Sequence, residues 1–194
     1  LFSPFNIMEV KTHCLFIDES FYLYDALCRL CRYDYKYVTV FDADPPPPGC
    51  SHPRDQRLTG INRFEQEFLP GKTDFKLNYT TKFNVVKYSE KLIRQWVMEL
   101  PRETEAIICP NDYAVIKARE WISRYSKELN YREILFTGCG NTDWSIHGPE
   151  PFPSYDYRLD DLMNMTLELL DAPPARPITR RIKPKPVRMN LINR

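Results

Sequence analysis

The chain has 194 residues, enough for one full domain or for one large domain with part of a second, and it is 43% hydrophobic, 13% aromatic and 27% charged. That composition belongs to a packed protein and excludes collagen-like, mucin-like and wholly disordered chains. With 27 Lys and Arg against 26 Asp and Glu, the formal charge of +1 gives no overall attraction for nucleic acid or anionic lipid.

No run reaches the roughly 18–20 apolar residues of a membrane span. The opening residues 1–10 lack an initial Met and have no basic segment followed by an apolar one, so they read as a piece of something longer and not as a secretory leader.

In chain order, residues 18–32 repeat apolar side chains at helical spacing, and 37–41 (Tyr-Val-Thr-Val-Phe) are β-branched and aromatic, as a strand requires. Four prolines at 45–48 forbid either element. Leu58, Ile61, Phe64 and Phe68 restore a helical pattern over 53–68. Residues 73–77 read as a strand, and 81–100 as a long helix with Phe83, Val86, Ile93, Trp96 and Val97 on one side. A buried strand over 106–109, a helix over 112–129 and a strand over 134–137 follow. Pro149, Pro151 and Pro153 then interrupt the pattern before a last amphipathic helix through Leu159, Leu162, Met163, Leu167 and Leu170.

From residue 172 onward there are seven basic residues and no acid. This tail is expected to form a final edge strand over 181–189, its prolines at the edge and its cations toward an acidic body; a nucleic-acid or membrane patch is the alternative. Strands alternating with helices predict the α/β class, a parallel sheet with helices on both faces. Ligands of such sheets bind beyond the carboxyl ends of the strands, so the loops after Phe41, Leu77, Cys109 and Thr137 should border one crevice.

Chemistry that needs a nucleophile or a metal is poorly represented. His13, His52 and His147 fall in unrelated loops, and there is no GxSxG, Walker A, HExxH or GxGxxG pattern. Thr137-Gly-Cys-Gly-Asn141 permits a tight turn but lacks a phosphate fingerprint. Cys28 and Cys31 form a CxxC, yet they share the apolar face of the first helix, and Cys50 and His52 lack the spacing of a second ligand pair. Cys14, Cys109 and Cys139 lie in or beside apolar strands as small buried hydrophobes. Neither metal nor cofactor is expected, and free thiols fit a reducing, cytoplasmic compartment.

Binding residues are easier to nominate. Arg57 begins the helix after the polyproline loop, where a guanidinium can fork onto hydroxyl or carboxylate oxygens. Asn111 and Asp112 stand where a strand gives way to a helix, so one of them caps that helix. Phe75 and Trp144 offer aromatic faces near the same expected rim, although Phe75, inside a strand, fits the core equally well.

Ala106-Ile-Ile-Cys-Pro-Asn-Asp-Tyr-Ala114, followed by a helix and Ile134-Leu-Phe-Thr-Gly138, resembles the ANDxxA and VxGxD segments of the lac/gal repressor (LacI/GalR) sensor domain. Arg57-Leu-Thr-Gly-Ile-Asn-Arg-Phe64 is similar to that family's RxxGF helix. Tyr157-Arg-Leu-Asp-Asp-Leu with Arg181-Ile-Lys-Pro-Lys-Pro-Val-Arg188 resembles its inter-lobe crossover and closing strand. The likeness runs from about residue 12 to 189 in matching order.

The resemblance implies a periplasmic-binding-protein-like fold of type I, mainly its C-terminal lobe. Residues 1–17 would be a remnant of the N-terminal lobe with a crossover, and 18–150 the C-terminal lobe. A second crossover and an N-lobe helix would occupy 151–176, with the closing strand and tail over 177–194. It further implies a cytoplasmic homodimer that senses a small effector of the sugar class, touches no membrane, catalyses nothing, and meets DNA only through a helix-turn-helix outside these residues. Arg57 matches the residue that grips ligand hydroxyls, Asn111 and Asp112 the polar pair at the cleft, and Phe75 an aromatic that packs on the effector. Gly140 stands where the family commonly has an acid, leaving Asn141 or Asp143 to substitute. A transporter's sugar-binding protein and a small α/β enzyme using Asp112 or Asp143 as general base are the rival readings.

Overall fold

The computed structural model describes residues 13–43, 53–83 and 90–187. Strand β1 (Cys14–Ile17) runs into helix α1 (Glu19–Arg32) through Asp18, whose carboxylate accepts the Phe21 N–H at 3.1 Å and the Ser20 hydroxyl at 2.5 Å, capping the helix. The chain continues as β2 (Tyr37–Ala43), α2 (Pro53–Glu67), β3 (Lys76–Phe83), α3 (Glu90–Glu99), β4 (Ala106–Ile108), α4 (Asp112–Tyr125) and β5 (Leu135–Cys139). It ends with α5 (Asp143–His147), β6 (Ser154–Asp156), α6 (Leu159–Asp171), β7 (Thr179–Ile182) and β8 (Lys185–Val187).

Six strands make one sheet in the order β3-β2-β4-β5-β6-β8, parallel throughout except for β8, which runs antiparallel to β6 at the edge. The α/β expectation therefore holds, helices on both faces included. Alternation along the strands creates two cores. Val38, Val40, Ala106 and Ile108 face α1 and α2, and Phe41, Ile107, Cys109 and Phe136 face α3 and α4. In the second core Phe41 lies 4.7 Å from Trp96 and 6.1 Å from Trp121, ring centre to ring centre. Such aromatics withdraw roughly 150–250 Å² each from water and dominate the energetics of the face they fill.

β1 and β7 form a second, two-stranded parallel sheet. The chain passes between the two sheets at Asp18, around Tyr157 and Arg158, and at Lys183 and Pro184. α6 packs against β1, while Leu159, Met163, Leu167 and Leu170 form an exposed apolar stripe along it.

Several boundaries differ from the sequence reading. The strand expected over 73–77 begins only at Lys76, because Gly71, with φ of +82°, sits in turns that extend to residue 74. It then runs on to Phe83, through residues assigned to the next helix, of which Glu90–Glu99 is described as α3. α4 stops at Tyr125, where Ser126 leaves helical geometry and accepts the Leu129 N–H on its hydroxyl at 2.9 Å. The single closing strand is two strands in two sheets, divided at Lys183-Pro184; Pro186 falls on an edge strand, where a missing N–H is tolerated.

Candidate functional site

Parallel strands followed by helices bring every strand's carboxyl end and every following helix's amino end to the same side of the sheet. At that rim Arg57, in the second turn of α2, is buried at 6% exposure and paired with Glu19 in the first turn of α1, Nε to Oε2 3.1 Å. Glu19 and Arg57 both act electrostatically on Cys139 at the end of β5, and so does Asp112. Burial, then Glu19, pushes the Cys139 thiol well above its ordinary range. Tyr157, directly after β6, hydrogen-bonds that thiol and is itself pushed up by burial, Cys139 and Glu19. Arg57 and Asp112 thus both act on the thiol at the carboxyl end of β5.

Asp112 is 1% exposed and satisfied from within the protein. Its Oδ2 accepts the Thr142 N–H at 2.8 Å and the Thr142 hydroxyl at 2.9 Å, and its Oδ1 accepts the Ser154 hydroxyl at 2.6 Å. A side chain at Gly138 would run into Asp112 Oδ1, so this glycine leaves room for the carboxylate. Asp112 ties the β5–α5 turn and β6 to the head of α4. Asn111 is exposed, and its Oδ1 accepts the Ala114 N–H at 2.8 Å, which makes it the helix cap.

The turn after β5 needs left-handed backbone, with φ of +133° at Gly140 and +48° at Asn141. Asn141 donates its backbone N–H to Ser154 Oγ at 3.0 Å and its Nδ2 to Asp156 at 3.4 Å, while its buried Oδ1 accepts no hydrogen bond among the described residues. Asp143 and Trp144 follow on α5, both exposed. Trp144 lies 6.2 Å from the exposed Tyr113 ring and lines a shallow hollow with Ile116, Arg119 and Phe152 on the outer flank of α4.

Phe75 does not join this group. It precedes the start of β3, at the amino end of the sheet, and packs 5.3 Å from Phe64 in the core beneath α1 and α2. Its apolar side chain is spent on α2, the alternative open from the sequence. Glu19 and Tyr157 were not nominated from the sequence. Glu19 heads the helix after β1 as Asp112 heads the one after β4, and that repetition was the available signal. Among the described residues no group of three or more His, Cys, Asp or Glu could hold a metal ion. Cys50 and His52, and the loop after Phe41, lie outside the described residues.

A parallel sheet with a polar rim is joined by three crossings to a second small sheet. No family model matches the sequence, and no curated protein matches it. Solved structures do match in fold. A LacI-family transcriptional regulator from Enterococcus faecium with bound ribose superposes with a TM-score of 0.66 at 12% identity, covering 96% of this chain and 67% of that one. The transcriptional regulator CelR in complex with cellobiose gives 0.62 at 13%, covering 94% and 54%. A periplasmic binding protein/LacI transcriptional regulator from Alkaliphilus metalliredigens with D-xylulofuranose gives 0.66 at 10%, covering 91% and 64%. The chain has the fold of LacI-like effector-binding domains, and it spans between about half and two thirds of the length of these proteins.

Proposed function

We propose that this chain is the effector-binding part of a LacI/GalR-type transcription regulator and that its ligand is a carbohydrate. The observation that carries the reading is the buried Arg57–Glu19 pair on the same rim as Asn141, in a fold whose solved neighbours are described with ribose, cellobiose and xylulofuranose. A guanidinium offers donors in fixed directions, and an amide offers donor and acceptor together; sugar hydroxyls complement both. A ligand held between the two sheets regulates by preferring one arrangement of them, since a ligand with equal affinity for both shifts nothing.

In this reading the protein works as a cytoplasmic homodimer, catalyses no reaction, and acts on DNA through a helix-turn-helix outside these residues. The ligand contacts are Arg57, Asn111 and Asn141, with Asp143 and Trp144 at the margin; Asp112 shapes the turn, and Phe75 contributes to the core.

Calorimetric titration with D-ribose, cellobiose and D-xylulose tests it. Binding of at least one sugar, weakened tenfold or more by Arg57→Lys with the thermal midpoint held, is the expected result. Lysine preserves the charge opposite Glu19 and removes the fork. Absence of binding by all three sugars, or unchanged affinity in Arg57→Lys, would overturn the reading.

A further inference from the structure

We infer that the rim selects a neutral polyhydroxyl ligand over its carboxylate or phosphate counterpart, and that Glu19 is the residue that sets this selection. The inference rests on the sugar-site reading and narrows its ligand class. A guanidinium in a binding cleft ordinarily invites an anion, because a carboxylate or phosphate takes its N–H groups two at a time. Here Arg57 already faces a carboxylate: Glu19 Oε2 lies 3.1 Å from its Nε, with both side chains largely buried at 14% and 8% exposure. An anion would add a second negative charge beside Glu19, where two carboxylates crowd each other unless one takes up a proton.

Among the described residues the surroundings add acids: Asp18, Asp112 and Asp156 stand at the ends of β1, β4 and β6. Of the described cations, Arg158 is directed onto Asp161 at 2.5 Å and Lys183 over the Phe21 ring at 5.0 Å. Helix amino ends converging on the rim each offer about half a positive charge. That of α1 is met by Asp18 and Glu19, and that of α4 by Asn111 and Asp112. Asn141 adds a demand for a hydroxyl donor on the ligand: among the described residues its buried Oδ1 has no hydrogen-bond donor, and a sugar hydroxyl can supply one.

The test compares D-ribose with D-ribonate and D-ribose 5-phosphate by calorimetry on the full chain, in the wild type, Glu19→Gln and Glu19→Asp. The wild type should bind ribose at least tenfold tighter than either anion. Glu19→Gln should narrow or invert that ratio, and Glu19→Asp, which retains the charge, should preserve it; thermal midpoints establish that each variant is folded. Ribonate or ribose 5-phosphate binding as tightly as ribose, or a ratio indifferent to Glu19→Gln, overturns the inference and leaves the sugar site standing. If none of the three binds and cellobiose and xylulose fail as well, the sugar reading itself falls and takes this inference with it.

Discussion

Asp112 receives three hydrogen bonds from groups on two other segments, which engage both of its carboxylate oxygens within the protein. Its place after β4 was legible in Cys-Pro-Asn-Asp, where a strand hands over to a helix. That its oxygens turn inward depends on Thr142 and Ser154, which are near only in the folded chain. Asp112→Ala leaves those donors buried without an acceptor, so the protein should lose about 2–4 kcal/mol in urea unfolding, whereas a ligand-facing carboxylate would cost little stability. The cysteines make a second residue-level prediction. Burial raises the Cys109 and Cys139 thiols and keeps the nucleophilic thiolate scarce at pH 8, while Cys14 is half-buried. Mass mapping after brief treatment with a disulfide reagent should find Cys14 modified well before Cys109 and Cys139, which should react only on unfolding.

At the level of elements, the core helices and central strands were readable because burial imposes a period, as in Val38 and Val40 or Leu27 and Cys28, although the buried face of α1 also takes in Tyr22, Leu23, Ala26 and Leu30. β3 was misplaced for the converse reason: as an edge strand reading Lys-Leu-Asn-Tyr-Thr-Thr-Lys-Phe, it has little apolar alternation to betray it. The α1–α2 contact was also hidden, since it depends on what Gly60 lacks. A Cβ there would run into the Ser20 carbonyl, so Gly60→Ala must push the helices apart, at roughly 1–3 kcal/mol. Gly71→Ala meets nothing within 4 Å but strains a φ of +82°, which costs about 1–2 kcal/mol. The two variants should differ in kind under urea unfolding with near-ultraviolet dichroism: Gly60→Ala should alter the aromatic signal of the native state as well as the midpoint, Gly71→Ala the midpoint alone.

Across the whole molecule, the carboxyl-end rim of the larger sheet and the crossings between the sheets coincide. Glu19 follows the first crossing, and Tyr157 lies on the second. A ligand bound to the first core's rim therefore acts on the segments about which the β1–β7 sheet and α6 would move, and the sugar that binds should reduce the radius of gyration in solution scattering. This coupling was invisible in the sequence, where Glu19, Arg57, Asn141 and Tyr157 belong to four separate motifs. The prolines at 184 and 186 were read as marking the edge of one closing strand, whereas its two halves join different sheets.

Amide chemical-shift mapping during titration with the best-binding sugar tests the central claim most directly. Shifts should concentrate at residues 19–20, 57–58, 111–112, 138–142 and 157–158, leaving 71–76 at the opposite end of the sheet unmoved. Shifts gathered around Phe75, with the β5–α5 turn silent, would contradict the account.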